Sequence, residues 1–232
     1  MTDRRIHFPI AVKAVAFDLD GTLLDTLPDI ADAADRMLVD LGRAAAGQET
    51  VRRYVGNGIA RLTKRLLTGE MEGEPEAESF ARALELFESH YRATLTSRTK
   101  AFPRVEDGLR RFQGEGLKLA CITNKAESFT LPLLTATGLR QRFDLILSGD
   151  SLPKRKPDPL PLLHCAEQFG ALPGELLVVG DSANDTEAAR GAGCPVFCVP
   201  YGYGARDVRD LDCDAIVADL VEAFKLITPI RP

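Results

Sequence analysis

Two aspartates, Asp18 and Asp20, end the apolar run Val12, Ala14, Val15, Ala16, Phe17, and Gly21 and Thr22 follow at once. Carboxylates at that spacing reach one small volume unless the backbone turns sharply at Leu19. They resist sharing it without a proton or a cation to compensate them. One member of such a pair can act as a nucleophile while the other handles protons. Three further stretches carry complementary groups: Thr123-Asn124-Lys125, the segment SLPKRKPDP at 151–159, and GDSAND at 180–185. With the aspartate pair they supply carboxylates, a hydroxyl, an ammonium and backbone N–H groups. That set suits a phosphoryl group held with a hard divalent cation.

Residues so far apart in the chain need a scaffold that brings them together. A short apolar run stopping at polar residues suits a strand buried on both faces of a parallel sheet. Similar runs at 117–123, 143–147, 176–179, 196–199 and 215–217 alternate with helical patterns at 105–112, 128–137, 159–169 and 186–190, and a last helix comes after them. Such alternation predicts a doubly wound parallel sheet, a Rossmann-like α/β core, with the polar groups gathered at the carboxyl ends of its strands. Residues 27–98 break the pattern. Helical spacing recurs there from Ile30 to Leu41, over 49–54, through Ile59, Leu62 and Leu66, and over 80–91, with no convincing strand. The predicted organisation is a catalytic core of residues 1–26 plus 99–232 and an inserted α-helical cap of residues 27–98. Gly21 lets the chain turn closely, and Thr22 is expected to cap the next element.

Composition excludes several classes of function. A net charge of −5 argues against a general nucleic-acid binder, and no run of about 18 apolar residues is present to span a bilayer. The amino end, with Arg4 and Arg5 ahead of an interrupted apolar stretch, does not read as a signal peptide. Five cysteines without a CxxC pair read as reduced, buried thiols, and the expected location is the cytoplasm. His7, His90 and His164 lie far apart and receive no catalytic role.

Roles can be assigned by chemical need. Asp18 attacks phosphorus and becomes an aspartyl-phosphate. Mg²⁺ held by Asp18, the Leu19–Asp20 backbone and Asp181 compensates the meeting of two anions, and Lys156 neutralises the remaining phosphoryl charge. Asp20 protonates the leaving alkoxide and then deprotonates the hydrolytic water. Thr123 and the N–H groups around Asn124 bind phosphoryl oxygens. Each stretch alone has a plainer reading: Thr123 as a helix cap, Lys154 to Lys156 as a solvated charge run, Asp185 as part of a helix start. Four strand ends would have to imitate one phosphate site for all of these to hold together.

The motifs DLDGT at 18–22, Ile-Thr-Asn at 122–124, Lys-Pro-Asp-Pro at 156–159 and GDSxND at 180–185 resemble, in order, those of the haloacid dehalogenase-like hydrolases. The resemblance implies Asp18 as nucleophile, Asp20 as acid and base, and Thr123 and Lys156 as phosphate ligands. It also implies Mg²⁺ on Asp18, Asp181 and the Asp20 carbonyl. Asp185 supports the metal directly or from behind, and Lys-Pro-x-Pro favours Lys156 over Lys154. A helical block straight after the first motif is similar to the type with an α-helical cap. Within it VGNGIARLTKRLL and VPYGYG resemble bacterial phosphoglycolate phosphatases. That similarity implies a small phosphorylated metabolite, 2-phosphoglycolate first, as the partner of a monomer or homodimer. The turn Gly56-Asn57-Gly58 then faces the substrate or simply joins two helices, and Arg52, Arg53 and Lys64 either read a substrate carboxylate or, the plainer reading, are exposed cap charges. Other chemistries fit less well. A dehalogenase does not need Asp20 and Asp181, and a phosphonatase lacks the second aspartate. A phosphomutase more often has Val at position 22, and a non-catalytic binding module would be expected to have lost one of these groups.

Overall fold

A computed structural model describes residues 7–203 and 206–230. Arg4, Arg5 and Gly204 of the VPYGYG stretch lie outside the described residues. In chain order the elements are β1 (Ile10–Val12), β2 (Ala14–Phe17), β3 (Leu24–Asp25), α1 (Leu27–Asp40), α2 (Gln48–Tyr54), α3 (Ile59–Thr68) and α4 (Ala77–Thr94). Next come β4 (Lys100–Ala101), α5 (Val105–Gly114), β5 (Lys118–Ile122), α6 (Glu127–Ala136), β6 (Leu145–Leu147), α7 (Leu160–Gln168) and β7 (Leu176–Gly180). The chain closes with α8 (Ala183–Ala192), β8 (Val196–Cys198), β9 (Ala215–Ile216), α9 (Leu220–Lys225) and β10 (Ile227–Pro229).

Six strands form one parallel sheet in the order β6-β5-β2-β7-β8-β9. Counted within the sheet this is a doubly wound order, and the direction of winding reverses between β2 and β7. In such sheets ligands bind outside the carboxyl ends of the strands at that switch point. The apolar run of β2 is buried on both faces for a visible reason. Val15 and Phe17 enter the larger apolar cluster, with the cap and helix α5, while Ala14 and Ala16 enter the smaller one with Leu162 of α7 and Ala188 of α8. Phe17 is in register with Cys121 of β5 and Val179 of β7, so the next residue, Asp18, emerges at the sheet edge between them.

The cap helices α1 to α4 are inserted between β3 and β4, which pair as a short antiparallel neck (Leu24 with Ala101, Asp25 with Lys100). Asp29, buried in the first turn of α1, accepts hydrogen bonds from the Arg98 and Thr99 backbone N–H groups at 2.9 and 2.8 Å, tying the two ends of the insertion together.

Several local expectations need correction. The first strand is divided: β1 ends at Val12 and pairs with β10 in a separate two-stranded sheet, while Lys13 turns out to an ion pair with Glu175 at 3.0 Å. Thr22 caps no helix, because the chain enters β3 before α1 begins. Its hydroxyl instead donates to Asp181 Oδ1 at 3.2 Å. Helix α8 starts at Ala183 rather than Thr186, since Ser182 and Asp185 form a reciprocal capping box. Among the described residues all five cysteines are free thiols, and no helix is long and apolar enough to cross a membrane.

Candidate active site

Asp18 after β2, Asp181 after β7 and Asp185 in the first turn of α8 bring one carboxylate oxygen each to within 4.8 Å of one another. Lys156 reaches the same spot from the loop before α7. Its ammonium, 4% exposed, donates to Asp18 Oδ1 at 2.7 Å, Asp185 Oδ1 at 2.6 Å and the Ile122 carbonyl at 2.6 Å. Lys154, the alternative lysine, is exposed and pairs with Asp158 at 2.8 Å. Asp185 is fully engaged from the other side: its Oδ2 accepts from the Ser182 hydroxyl at 2.7 Å and from the Ser182 and Asp181 N–H groups at 3.1 and 3.3 Å. Asp181 Oδ2 accepts from the Tyr203 N–H at 2.6 Å. Two glycines make room for it. A Cβ on Gly21, where φ is +94°, would lie 2.4 Å from that oxygen, and one on Gly202 would lie 2.2 Å from it.

This cluster is short of positive charge. Burial pushes the Asp18 carboxyl up to about 7, Lys156 opposes the rise, and Asp185 adds to it. Burial and then the neighbouring Asp18 and Asp185 also raise Asp181 well above the carboxylate range. Burial works against the Lys156 ammonium, yet Asp18 and Asp185 hold it above the ordinary lysine value. Three converging hard oxygen donors, two of them reluctant to ionise as they stand, fit a small divalent cation such as Mg²⁺. Asp18 and Asp181 are the carboxylates best placed to hold it. Asp185 already serves Lys156 and the α8 start.

Asp20 lines the same cavity but keeps different company. The chain turns tightly after Leu19, whose carbonyl accepts from the Leu23 and Leu24 N–H groups at 3.0 and 2.9 Å. The Asp20 carboxylate consequently lies outside the three-carboxylate cluster. Its Oδ1 accepts from the Thr26 hydroxyl at 2.6 Å, and its Oδ2 pairs with Lys125 Nζ at 2.9 Å. Lys125 also donates to the hydroxyl of Tyr91, in cap helix α4, at 2.9 Å. Sequence reasoning assigns neither residue a role. Tyr91 continues the apolar stripe of Leu84 and Phe87 and reads as core. Lys125 sits in a recognised polar stretch, and its position after Thr-Asn at a strand end is the available signal.

The cavity has a volume of about 60 Å³. One water needs about 10–15 Å³ on this measure, so there is room for several waters. Its core wall carries Asp18, Asp20, Thr123, Asn124, Lys125, Lys156 and Asp181; its cap wall is Ile30, Val55, Ile59 and Leu62 with Gly56 and Gly58. Thr123 Oγ1 accepts the Lys125 N–H at 3.2 Å and keeps its own proton for a ligand. Asn124 donates to the carbonyls of Gly56 and Lys156 at 3.0 and 2.8 Å, while its Oδ1, buried, has no partner among the described residues. Asn184 adds a hydrogen bond to the Gly56 carbonyl at 3.1 Å. The Gly56–Gly58 turn therefore both joins α2 to α3 and docks the cap on the core.

Other expected cap contacts are not brought into the cavity. Asn57 donates to Asn184 Oδ1 at 3.1 Å instead. Arg52, not among the lining residues, donates to the Gly202 carbonyl at 3.1 Å and stacks over the ring of Tyr203, which lines the cavity. Arg53 is exposed, and Lys64 turns to Glu74 and the Phe80 ring. The physical reason is local: Glu72 and Glu74, in the polar loop after α3, draw the cap cations Arg61 and Lys64 outward.

Comparison with known proteins gives a consistent picture. A family model described as haloacid dehalogenase-like hydrolase matches residues 15–199. A protein of Thiobacillus denitrificans named phosphoglycolate phosphatase is 57% identical over 222 residues, covering 95% of this chain and 98% of the relative. One of the same name from Nitrosospira multiformis is 56% identical, covering 96% and 98%. The crystal structure of a predicted phosphoglycolate phosphatase from Haemophilus somnus matches with a TM-score of 0.87 at 34% identity, covering 92% of this chain and 97% of that one.

Proposed function

The chain belongs to the haloacid dehalogenase-like hydrolases, and on that basis we propose that it is a Mg²⁺-dependent phosphomonoesterase hydrolysing 2-phosphoglycolate to glycolate and phosphate. The observation that carries the reading is the meeting of Asp18, Asp181, Asp185 and Lys156 at the switch point of the sheet, with Asp20 beside them on a separate hydrogen-bonding network.

Asp18 attacks phosphorus and forms a carboxyl–phosphoryl bond as the ester bond breaks. Asp20 passes a proton to the departing glycolate oxygen. Asp20 then takes a proton from the incoming water, whose oxygen bonds to phosphorus and frees Asp18 and inorganic phosphate. The Thr123 hydroxyl and the Asn124 N–H hold phosphoryl oxygens throughout, while the Lys156 ammonium, kept beside Asp18, neutralises phosphoryl charge. The Asp18 and Asp181 carboxylates, with the Asp20 carbonyl and Asp185 in support, would hold Mg²⁺, which would supply the positive charge that lets one anion approach another. The cap, taken as residues 27–98, excludes bulk water while the alkoxide leaves, and it moves about the Thr26 and Ser97–Lys100 segments. All these groups come from one chain, so a monomer suffices, and the five free thiols suit the cytoplasm.

The test is phosphate release from a panel of small phosphate esters, with Mg²⁺ and with a chelator. The highest kcat/KM is expected on 2-phosphoglycolate, with activity lost on chelation. Turnover that ignores chelation, or a clear preference for a bulky ester, would overturn the proposal.

A further inference from the structure

We propose that Lys125 is the specificity residue that takes the second anionic group of the substrate, the carboxylate lying next to the scissile ester. The inference rests on the reading of this chain as a phosphatase of a small phosphorylated carboxylic acid. Such a substrate brings two anions into a cavity with an apolar cap wall. Its phosphate is provided for by Lys156 and Thr123. An unpaired carboxylate there would be strongly disfavoured, so a second cation is needed.

The cap does not supply it. Arg52 is committed to the Gly202 carbonyl and the Tyr203 ring, Arg61 and Lys64 to Glu74, and Arg65 to the carbonyls of Tyr54 and Met71. On the core wall the two lysines differ in what they have left. An ammonium has three N–H donors. Lys156 spends one each on Asp18, Asp185 and the Ile122 carbonyl. Lys125 meets Asp20 and Tyr91, both at 2.9 Å, which accounts for two and leaves one.

Position points the same way. Asp20 must come within hydrogen-bonding reach of the ester oxygen to protonate it. Lys125 Nζ stands 2.9 Å from that same carboxylate and lines the cavity. In 2-phosphoglycolate the carboxyl carbon is attached to the carbon that bears the ester oxygen, so the substrate carboxylate arrives beside the Asp20–Lys125 pair. The ammonium is also held ready. Tyr91 is completely buried, with ring centroids 5.8 Å from Phe87 and 5.2 Å from Phe129, and its hydroxyl fixes Lys125 from the cap side. A carboxylate reader tied to a cap residue would recognise its ligand with the cap in place.

A role confined to orienting Asp20 predicts something different, since it would serve every alkyl phosphate alike. The experiment compares kcat/KM on 2-phosphoglycolate with kcat/KM on ethyl phosphate, which keeps the alkyl ester and lacks the carboxylate. In Lys125→Met the ratio of the two is expected to fall roughly 10- to 150-fold, chiefly through KM for 2-phosphoglycolate, whatever loss both substrates share. Lys125→Arg keeps the charge and should recover much of the ratio. Lys125→Gln carries the same expectation as the Met variant if that one does not fold by circular dichroism. A high wild-type ratio left unchanged by Lys125→Met or Lys125→Gln overturns the assignment alone. A wild-type ratio near one overturns the substrate reading and this assignment with it.

Discussion

The two walls of the cavity are built on opposite plans. The core wall concentrates charge and spends nearly every polar atom on a named partner; the cap wall is apolar and turns its arginines and lysines away. Burial of charge, not its abundance, therefore marks the chemistry. The cap carries many cations, and two of them, Arg61 and Lys64, balance Glu72 and Glu74 in the solvent-facing loop, where ion pairs contribute little. The core spends two lysines, both about 95% buried, on Asp20 and Asp18. A second contrast sits inside the core wall. Asp18 and Lys156 belong to a crowded acidic cluster that asks for a metal. Asp20 and Lys125 form a separate pair joined to the cap through Tyr91.

The largest effect should come from the first pair. Asp18→Asn is expected to lower turnover by at least about 10⁴-fold while circular dichroism stays unchanged, because the nucleophile is gone. Asp20→Asn should cost roughly 10²–10⁴-fold on an alkyl phosphate. With an aryl phosphate, whose leaving group needs no proton, the single-turnover rate of enzyme phosphorylation should fall far less. Equal losses on both esters would merge the two pairs into one function and erase the contrast between them.

Proton linkage separates the walls next. Asp18 is raised from 3.8 to about 7, and Asp181 moves in the same direction, so the folded chain holds these protons more tightly than the unfolded chain. Their contribution to metal-free stability is therefore complete below the unfolded value of 3.8 and is lost as pH rises through about 7. Mg²⁺ should compensate the ionised cluster, so the increase in Tm on adding it is expected to be larger at about pH 8 than at about pH 5. Thermal scans with Mg²⁺ and with a chelator measure this, and an equal increase at both would remove the acidic cluster as the metal site.

The smallest effect is expected on the cap wall. Arg52→Met and Lys64→Met should each change kcat/KM by less than about 3-fold, and by the same factor on 2-phosphoglycolate and on ethyl phosphate. A selective loss on 2-phosphoglycolate would move substrate reading from the core to the cap.

How much of this is legible in the sequence also divides along the two walls. Asp18, Thr123 and Asp181 each come after an apolar run that only a buried parallel strand explains, so topology alone brings them together. Lys156 is favoured over Lys154 by its Pro-flanked motif, and it is the lysine buried against Asp18 and Asp185. The cap side is left open between substrate contacts and exposed charges, because the fate of Arg52 and Lys64 depends on what they meet in space, Gly202 and Glu74, which helical spacing does not reveal. Tyr91 is hidden by its own apolar stripe, since only the ring packs as core while the hydroxyl reaches Lys125. The β1–β10 pair escapes notice because it joins the two ends of the described chain, and the β3–β4 neck because two residues leave no pattern to read.

Whether phosphorus passes through Asp18 on the core wall can be decided by rapid quenching. The Asp20→Asn variant, in which hydrolysis of the intermediate is slowed, is mixed with an aryl phosphate and Mg²⁺, quenched in acid and digested for mass spectrometry. One added phosphoryl group is expected on the peptide carrying Asp18, absent in the Asp18→Asn, Asp20→Asn double variant. A phosphoryl group on another residue, or none while wild-type burst kinetics show an intermediate accumulating, would contradict this route.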